Sequence, residues 1–259
     1  MSKLRGYLAL LLVCFLYTVF DVVQRAFVSP LVKIFPKARI PVLGRWIRAM
    51  AYFGTAPLRS VGGASVQFPP QVVPCAPGKL ILMNHQSVID ILLVVKSVAY
   101  GYPRIVTRAR YGRFIPLISH LVRLYQYPTV DPTANPREVL KMARAMAREA
   151  RDSDVPIAIF PEGTRTKDGE IGSFRKRGLA KVLKGRPWTV YVFVVDGYWE
   201  KSHAKDFLAD LSALDGRVEH AATLEWTDPD ADPGPFITKV RDIMSERLAE
   251  MRSNNTPAL

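Results

Sequence analysis

The stretch KLILMNHQSVID, residues 79–90, decides the fold of this chain of 259 residues. Its first part, Lys79–Met83, is a short apolar run that predicts a strand buried inside a sheet. A polar turn follows at residues 84–87, and a helix is predicted at Val88–Ala99. A buried strand that leads directly into a helix is typical of α/β proteins, in which crossover helices connect parallel strands.

The same alternation of strand and helix continues along the chain. Asn135, Pro136 and Glu138 occupy the N-cap, N1 and N3 positions of one predicted helix, an order that favours a helix start. We therefore expect an α/β domain over residues 66–259, with a mostly parallel sheet and crossover helices. Its other strands are predicted at Arg104–Thr107, Val155–Phe160 and Thr189–Val195, its other helices at Phe174–Lys184 and Ile237–Arg252, and a loop at Thr227–Phe236.

Residues 1–65 predict a membrane-associated helical segment. Gly6–Phe20 carries no charge, but a full membrane span needs about 17–25 apolar residues. Three interpretations are open: a short membrane anchor, a monotopic helix in one leaflet, or a signal peptide with Lys3 and Arg5 as its basic start. No clean small-residue cleavage site follows, which disfavours the signal peptide. Leu43–Phe53 mixes aromatic and Arg residues, and it fits an interfacial helix and a core helix equally well.

The charge of the chain favours anionic partners. It has 36 Lys and Arg residues against 23 Asp and Glu, a formal net charge of +13, and the first 60 residues hold nine of the basic residues and one acid. Basic charge beside an apolar segment favours an anionic membrane surface, although a solvated charged face is the alternative. By the positive-inside rule we expect an inner-membrane location with the α/β domain on the cytoplasmic side.

A second basic cluster contains Arg175, Lys176 and Arg177, followed by Lys181 and Lys184. Nucleic-acid binding is disfavoured because the cluster lacks stacking aromatic residues and a recognisable helix-turn-helix, so no nucleic-acid partner is expected. The cluster suits the phosphates of a small ligand or the acidic face of a protein, and a solvated helix face is the alternative.

His85 and Asp90 form the first candidate site, directly after the strand Lys79–Met83. Residues five apart on a regular helix point about 140° apart and do not meet. The two side chains meet if His85 precedes the helix and Asp90 lies in its first turn, with Ser87 as the N-cap. Asp90 then fixes the imidazole tautomer, and the other ring nitrogen can accept a proton from a substrate hydroxyl. The alternative is a capping box of Ser87 and Asp90, which needs no catalysis.

The second candidate site is FPEGTR, residues 160–165, at the end of the predicted strand Val155–Phe160. Gly163 lets the backbone turn or approach a ligand closely. Arg165 offers a planar guanidinium to phosphate or carboxylate, and Glu162 can hold a substrate hydroxyl or orient Arg165. The alternative is a surface turn with an internal Glu–Arg pair. Both candidate sites follow buried strands, so both are expected at the carboxyl edge of the sheet, where ligands bind in α/β proteins.

Together the two motifs resemble the signature blocks of the glycerolipid acyltransferase family, whose best-known members are the 1-acylglycerol-3-phosphate acyltransferases. Asn84, His85 and Asp90 match the first block, Asn-His-x4-Asp, and residues 160–165 match every letter of the third, Phe-Pro-Glu-Gly-Thr-Arg. The resemblance covers residues 70–200, and an N-terminal membrane segment is also usual in the family.

The resemblance implies transfer of a fatty acyl group from acyl-CoA or an acyl-carrier protein to the free hydroxyl of a lysophospholipid. The expected acceptor is 1-acylglycerol-3-phosphate, which gives phosphatidic acid; another lysolipid, such as a lyso-aminolipid, and a catalytically silent lipid-binding protein are the alternatives. His85 would be the general base and Asp90 its partner, with no metal and no cofactor beyond the acyl donor. The expected acceptor-binding residues are Glu162, Gly163, Thr164 and Arg165, and the expected donor or phosphate contacts are Asn84, Arg175, Lys176 and Arg177.

Two departures from the family pattern concern the acceptor. The second family block ends in an Arg that helps to hold the acceptor phosphate, whereas the nearest stretch here, YPTVDP, ends in Pro132. Arg123 and Arg113 are candidate substitutes. The fourth block usually has a Pro within its strand, and Tyr191–Val194 has none. The resemblance therefore supports the transfer chemistry better than it supports the identity of the acceptor.

Overall fold

The computed structural model describes residues 2–113, 115–131, 133–201, 211–212 and 214–254. Within them the strands are β1 (Ser65–Val66), β2 (Val73–Pro74), β3 (Lys79–Met83), β4 (Val98–Ala99), β5 (Arg104–Ile105), β6 (Thr107–Arg108), β7 (Thr129–Val130), β8 (Ile157–Ile159), β9 (Trp188–Asp196) and β10 (Asp215–Trp226). Six of them form one sheet in the order β1-β10-β9-β3-β8-β5. Its neighbours are parallel except β10, which runs antiparallel to β9. Two short parallel pairs are separate, β2 with β4 and β6 with β7.

Helices cover both faces of this sheet. They are α1 (Ser2–Val23), α2 (Ser29–Ile34), α3 (Arg39–Ser60), α4 (Asp90–Ser97), α5 (Ile118–Leu124), α6 (Pro136–Arg151), α7 (Lys176–Leu183) and α8 (Pro233–Ser253). The prediction of an α/β fold with a mostly parallel sheet, crossover helices and an N-terminal helical segment is confirmed.

The central strand β3 separates two hydrophobic layers. Its side chains alternate between the faces of the sheet, as in any strand. Ile81 and Met83 pack with residues of α1 to α5, whereas Leu80 and Leu82 pack with residues of α6, α7 and α8. Because both faces are covered, the strand is apolar throughout rather than alternating, which is why its sequence signal is strong.

The N-terminal helices form an antiparallel hairpin. A π-helical turn, Gln24–Val28, joins α1 to α2, so Leu4–Ile34 is a single helix that is long and apolar enough to cross a membrane. Its inner face packs on α3, where Phe20 makes an edge-to-face contact with Trp46. Its outer face leaves large apolar side chains in solvent, among them Leu11 at 66% exposure and Phe15 at 65%. Exposed apolar surface on this scale suits association with a membrane.

The two interpretations of Leu43–Phe53 each hold for one face of α3. Leu43, Ile47 and Met50 are buried in the core, whereas Tyr52 and Phe53 are about half exposed. The helix is therefore both a core helix and a candidate interfacial helix. The boundary between an N-terminal segment and an α/β domain at residue 65 stays a prediction, since α1 to α3 share one core cluster with the sheet.

Several elements differ from the prediction, among them the strand predicted at Arg104–Thr107, which is divided into β5 and β6. The helix predicted at Val88–Ala99 is shorter, because its last two residues pair with β2 as strand β4. The loop predicted at Thr227–Phe236 ends early, because the Asp232 side chain accepts from the Gly234 amide and starts α8 at Pro233. The sequence gives no strand signal for β10, whose charged residues interrupt its apolar ones and whose pairing depends on the long ladder with β9.

Candidate active site

Both sequence motifs meet at the carboxyl ends of β3 and β8, next to the end of β9. Asn84 links two of these strands: its side-chain amide donates to the carbonyl of Val195 at 2.9 Å and its oxygen accepts from the Val195 amide at 2.7 Å. Asn84 is buried. Both polar atoms of its side chain therefore serve to join β3 to β9, and they fix the position of the next residue, His85.

His85 and Asp90 are in direct contact, as the sequence predicts. The Nδ1 atom of His85 lies 2.8 Å from Oδ2 of Asp90. The same oxygen accepts from the backbone amides of Gln86 at 2.6 Å and Ser87 at 2.8 Å, and Asp90 is 0% exposed. Three donors around one oxygen hold the carboxylate in one orientation. With Nδ1 donating to Asp90, Nε2 of His85 carries the lone pair.

The prediction that Ser87 caps the helix is wrong. Helix α4 begins at Asp90 without a side-chain cap, and the Ser87 hydroxyl instead donates to the carbonyl of Lys201 at 2.7 Å. The Asp90 carboxylate accepts from the amide of Ser87, which is one of the two bonds of a capping box, and also from the amide of Gln86. Asp90 therefore both orders the turn and contacts the imidazole, so the capping and dyad interpretations describe the same side chain.

The imidazole lies on an aromatic ring. Phe160 stacks on His85 with ring centroids 4.1 Å apart and an angle of 19° between the planes. His85 keeps 18% of its side chain exposed. The stacked ring excludes water from one face of the imidazole, and the exposed part leaves room for a ligand at the other.

Glu162 ties the second motif to the first. Its Oε1 accepts from the His85 amide at 3.1 Å and its Oε2 from the Gly172 amide at 3.2 Å. It is 3% exposed, and burial raises the pKa of its carboxyl to about 7 although both amide bonds oppose the shift. The Thr166 amide adds a bond to the His85 carbonyl at 2.8 Å. Both oxygens of Glu162 are thus engaged with backbone donors.

The rest of the second motif forms an exposed turn. Gly163 has a φ of +69°, and a Cβ there would come within 3.0 Å of the Arg175 side chain. Gly163 and Thr164 are exposed and Arg165 is partly buried. A residue other than glycine would be strained at this φ. The turn thus brings a hydroxyl and a guanidinium to the edge of the sheet where His85 lies.

The residues of the second basic cluster point in different directions, and not all of them adjoin the site. The Arg175 amide donates to the Pro161 carbonyl at 2.7 Å, and its exposed side chain lies against Gly163. Arg177 points from the first turn of α7 into solvent. Lys176 instead lines a crevice of about 750 Å³ that it shares with carboxylates of α8 and the loop before it, Asp232, Asp242 and Glu246. Arg175 is therefore the member of the cluster that adjoins the second motif.

Arg108 also adjoins the second motif, and the sequence analysis does not single it out. It lies in β6, and its guanidinium donates to the Gly163 carbonyl at 3.3 Å. Of the two candidate substitutes, Arg123 donates to the carbonyl of Gly112 at 2.9 Å. Pro132, where the family pattern has Arg, lies outside the described residues. The signal for Arg108 was present, because like both motifs it directly follows a predicted strand.

The C-terminal helix α8 forms hydrogen bonds with the loop that follows the second motif. Arg252 of α8 donates to the carbonyl of Gly169 at 2.9 Å and to the Asp196 carboxylate at 3.2 Å. Gln86 joins the same cluster, because its side-chain amide donates to the Gly169 carbonyl at 3.3 Å and its oxygen accepts from the Tyr198 amide at 3.0 Å. These partly buried contacts hold the loop against the end of β9 and fix the relative positions of the two motifs. Across the described part of the chain, no group of three or more His, Cys, Asp or Glu side chains has the arrangement of a metal site.

Comparison with known proteins gives consistent matches. Residues 67–195 match the sequence model of the family described as Acyltransferase. A 1-acyl-sn-glycerol-3-phosphate acyltransferase of Cocos nucifera is 29% identical over 107 residues, which is 41% of this chain and 34% of that protein. An uncharacterized acyltransferase of Schizosaccharomyces pombe is 25% identical over 126 residues, 49% of this chain and 44% of that protein. The chain thus spans less than half the length of these curated relatives.

A solved structure extends the likeness to the whole fold. The crystal structure of PlsC, the 1-acyl-sn-glycerophosphate (LPA) acyltransferase of Thermotoga maritima, matches with a TM-score of 0.73. The match covers 97% of this chain and 98% of that chain at 19% sequence identity. At this identity the likeness shows a common fold, which includes the N-terminal helices.

Proposed function

We propose that this chain, which belongs to the glycerolipid acyltransferase family, transfers a fatty acyl group from a thioester to the free hydroxyl of 1-acylglycerol-3-phosphate. The observation that carries the proposal is the contact of 2.8 Å between His85 Nδ1 and a buried Asp90 carboxylate that is itself held by two backbone amides. This arrangement suits a general base whose tautomer is fixed before the substrate arrives.

The reaction needs no covalent enzyme intermediate. Nε2 of His85 takes the proton of the acceptor hydroxyl as the hydroxyl oxygen attacks the thioester carbonyl carbon. The Asp90 carboxylate stabilises the imidazolium that forms. The tetrahedral oxyanion then collapses, the C–S bond breaks, and the thiolate takes the proton from the imidazolium. An ester and a free thiol result, and no cofactor is needed beyond the acyl donor.

Two of the expected ligand contacts act as positioning residues in this proposal. Both polar atoms of Asn84 bind the Val195 backbone, and both oxygens of Glu162 bind backbone amides. Neither side chain is therefore available to a ligand without breaking a bond to the protein. Asn84 positions His85 from the strand, and Glu162 positions it through the His85 amide.

The acceptor phosphate binds at the exposed turn around Gly163. Arg108 and Arg175 both lie against Gly163, and Arg165 follows it by two residues. Guanidinium groups form paired, charge-assisted hydrogen bonds with phosphate. The Thr164 hydroxyl, exposed in the same turn, can donate to the acceptor. We place the exposed apolar face of α1 in the inner membrane, with the sheet on its cytoplasmic side, so that a lysolipid reaches the site from the bilayer.

The test is an acceptor panel with the detergent-solubilised protein and radiolabelled acyl donors. The panel contains lysophosphatidic acid, a lysolipid without a phosphate monoester, and a lyso-aminolipid. We expect lysophosphatidic acid to be acylated. In Arg108→Met its KM should rise at least about tenfold, because one charged hydrogen bond contributes roughly 1.5–3 kcal/mol.

Arg110→Met is the matched control for this test. Arg110 lies two residues away, and its guanidinium donates to the Tyr111 hydroxyl at 3.1 Å. The KM of the Arg110→Met variant for lysophosphatidic acid should stay within about twofold of the wild-type value. If the protein acylates the lyso-aminolipid in preference to lysophosphatidic acid, the proposed acceptor is wrong. If Arg108→Met and Arg110→Met have equal KM values, Arg108 does not bind the acceptor phosphate.

A further inference from the structure

The outer surface of α6 carries one row of cations. Arg137, Lys141, Arg144, Arg148 and Arg151 are spaced four, three, four and three residues apart, which places them on one face of a helix. All five are exposed. The opposite face of α6 is buried in the core through Met146 and Ala150.

Helix α7 extends this row sideways. Arg177 and Lys181 lie on its outer face, and the C-cap residue Lys184 continues their row, again four and three residues apart, while Leu179 and Val182 face the core. The two helices adjoin: a Cβ at Gly178 would lie 3.7 Å from the Met146 side chain, and Arg186 donates to the Arg151 carbonyl at 3.0 Å. The eight cations therefore form one surface, here called the basic face.

Few protein carboxylates neutralise the basic face. In the part of the chain that the structure describes, Arg151 is the member that forms an ion pair, with Asp152 at 2.8 Å. The two acids of α6, Glu138 and Glu149, are eleven residues apart and share a different row of the helix. Like charges at these spacings repel one another and do not stabilise the helix. A bound polyanion would offset that repulsion.

The sheet separates the basic face from the membrane. The exposed apolar helix Leu4–Ile34 belongs to the layer that packs on Ile81 and Met83, whereas α6 and α7 belong to the layer on Leu80 and Leu82. A molecule attached to a bilayer through the first layer turns the second toward water. The partner of the basic face is therefore soluble rather than an anionic membrane.

The basic face begins at the edge of the sheet that holds His85. Helix α7 starts next to Arg175, whose amide binds the Pro161 carbonyl. Helix α6 follows β7, and β7 pairs with β6, where Arg108 reaches the Gly163 carbonyl. A partner bound along α6 and α7 therefore has one end beside the site.

We propose that the basic face docks an acidic carrier protein that delivers the acyl group as a thioester. This inference rests on the proposed acyl transfer and names the partner of the same site. The carboxylates of Asp232, Asp242 and Glu246 border the face on its α8 side and would repel an acidic partner that shifted toward them. Neither α6 nor α7 contains an aromatic residue on which a nucleic-acid base could stack.

The test compares two donors with one acyl chain and one acceptor. In the full chain, Arg144→Glu with Arg148→Glu should lower kcat/KM for acyl-carrier protein about tenfold or more at low ionic strength. The loss should shrink at high salt, because screening weakens attraction between exposed charges. The value of kcat/KM for acyl-CoA should stay within about twofold. Both arginines are solvent-facing, so the fold should be retained.

Lys33→Glu with Lys37→Glu, two exposed residues of the layer on the other side of the sheet, makes the same change in net charge and should leave both donors unaffected. Titration calorimetry with the acyl-carrier protein alone gives a second readout, in which the α6 variant should bind at least about tenfold more weakly. Equal losses with both donors, equal losses in the Lys33 and Lys37 variant, or unchanged carrier binding would overturn the proposal. Equal affinity for single-stranded DNA would also overturn it. A wild-type chain that binds the carrier yet transfers from neither donor would count against the proposed transfer and not against the docking.

Discussion

Replacing Asp90 with Asn separates the charge of this side chain from its geometry. Oδ2 of Asp90 accepts from His85 Nδ1 and from two loop amides, whereas Oδ1 is buried with no hydrogen-bond partner among the described residues. An Asn oxygen in the Oδ2 position can accept the same three hydrogens, and its NH₂ group then takes the place of Oδ1. The turn is therefore kept while the negative charge is removed.

The expected loss of kcat follows from the contact between His85 and Asp90. A carboxylate and an imidazolium about 4 Å apart between charge centres attract by roughly 4 kcal/mol at an effective dielectric constant near 20. That attraction exists only once His85 has taken the acceptor proton, so losing it should lower kcat about 10³-fold. Stability should fall less. Three hydrogen bonds lose charge assistance of roughly 1 kcal/mol each, and the relief of a buried charge offsets part of this loss.

The assay measures acyl transfer and thermal unfolding on the same preparations. A loss of up to roughly 3 kcal/mol lowers Tm by about 10 °C in a chain of this size, and the unfolding curve shows whether the variant is folded at the assay temperature. Ser87→Ala is the control, because it removes the hydroxyl bond to the Lys201 carbonyl from the same turn and keeps the amide that binds Asp90. We expect a small loss of Tm and near-normal kcat. An Asp90→Asn variant that is folded and within tenfold of wild type would refute the reasoning and leave Asp90 as a capping residue alone.

Three further predictions follow from burial and backbone geometry. Burial raises the pKa of Glu162 to about 7 in the folded protein, from an ordinary value of 4.5. Between these pH values the native state keeps a proton that the unfolded state has released. The free energy of unfolding should therefore fall by a few kcal/mol as pH rises from 5 to 7.5. Glu162→Gln should flatten this dependence in thermal melts across that range; an unchanged slope would contradict the assignment. Gly163→Ala should cost about 1–2 kcal/mol, because its φ is +69° and its Cβ would press on Arg175, whereas an unchanged Tm would show that the turn relaxes freely. Leu11→Gln with Phe15→Gln should weaken co-sedimentation with uncharged zwitterionic liposomes without lowering Tm, because both apolar side chains are exposed, and unchanged binding would place the membrane surface elsewhere.

The sequence determines the parts of the fold that local patterns encode. β3 and β9 are buried on both faces, so their apolar runs are unbroken, and α6 carries its N-cap signal in Asn135, whose side chain accepts from the Glu138 amide at 3.0 Å. β10 has no such pattern, because its partner β9 lies about thirty residues earlier in the chain and their pairing is a tertiary contact. Local sequence signals also do not predict where α4 ends, because Val98–Ala99 forms a strand that pairs with β2.

The candidate site likewise has contacts that local sequence predicts and contacts that depend on residues far along the chain. The contact of His85 with Asp90 could be predicted, because a five-residue spacing across a helix start allows only a few geometries. The roles of Glu162 and Asn84 could not, since a side chain in a turn looks equally ready for a ligand and for a backbone amide. Their partners, Gly172 and Val195, lie 10 and 111 residues away. The family pattern expects an Arg at the position of Pro132, so it gives no indication of Arg108.

His85 is the proposed general base of an acyl transfer to a lysolipid hydroxyl. The most direct test follows radiolabelled acyl transfer to lysophosphatidic acid by wild type and by His85→Ala, with Tm measured for both. A general base contributes about 10²–10⁴ in rate, and we predict a loss of at least about 10³-fold with Tm changed by only a few degrees. A folded His85→Ala variant that still transfers acyl groups within tenfold of the wild-type rate would contradict the account.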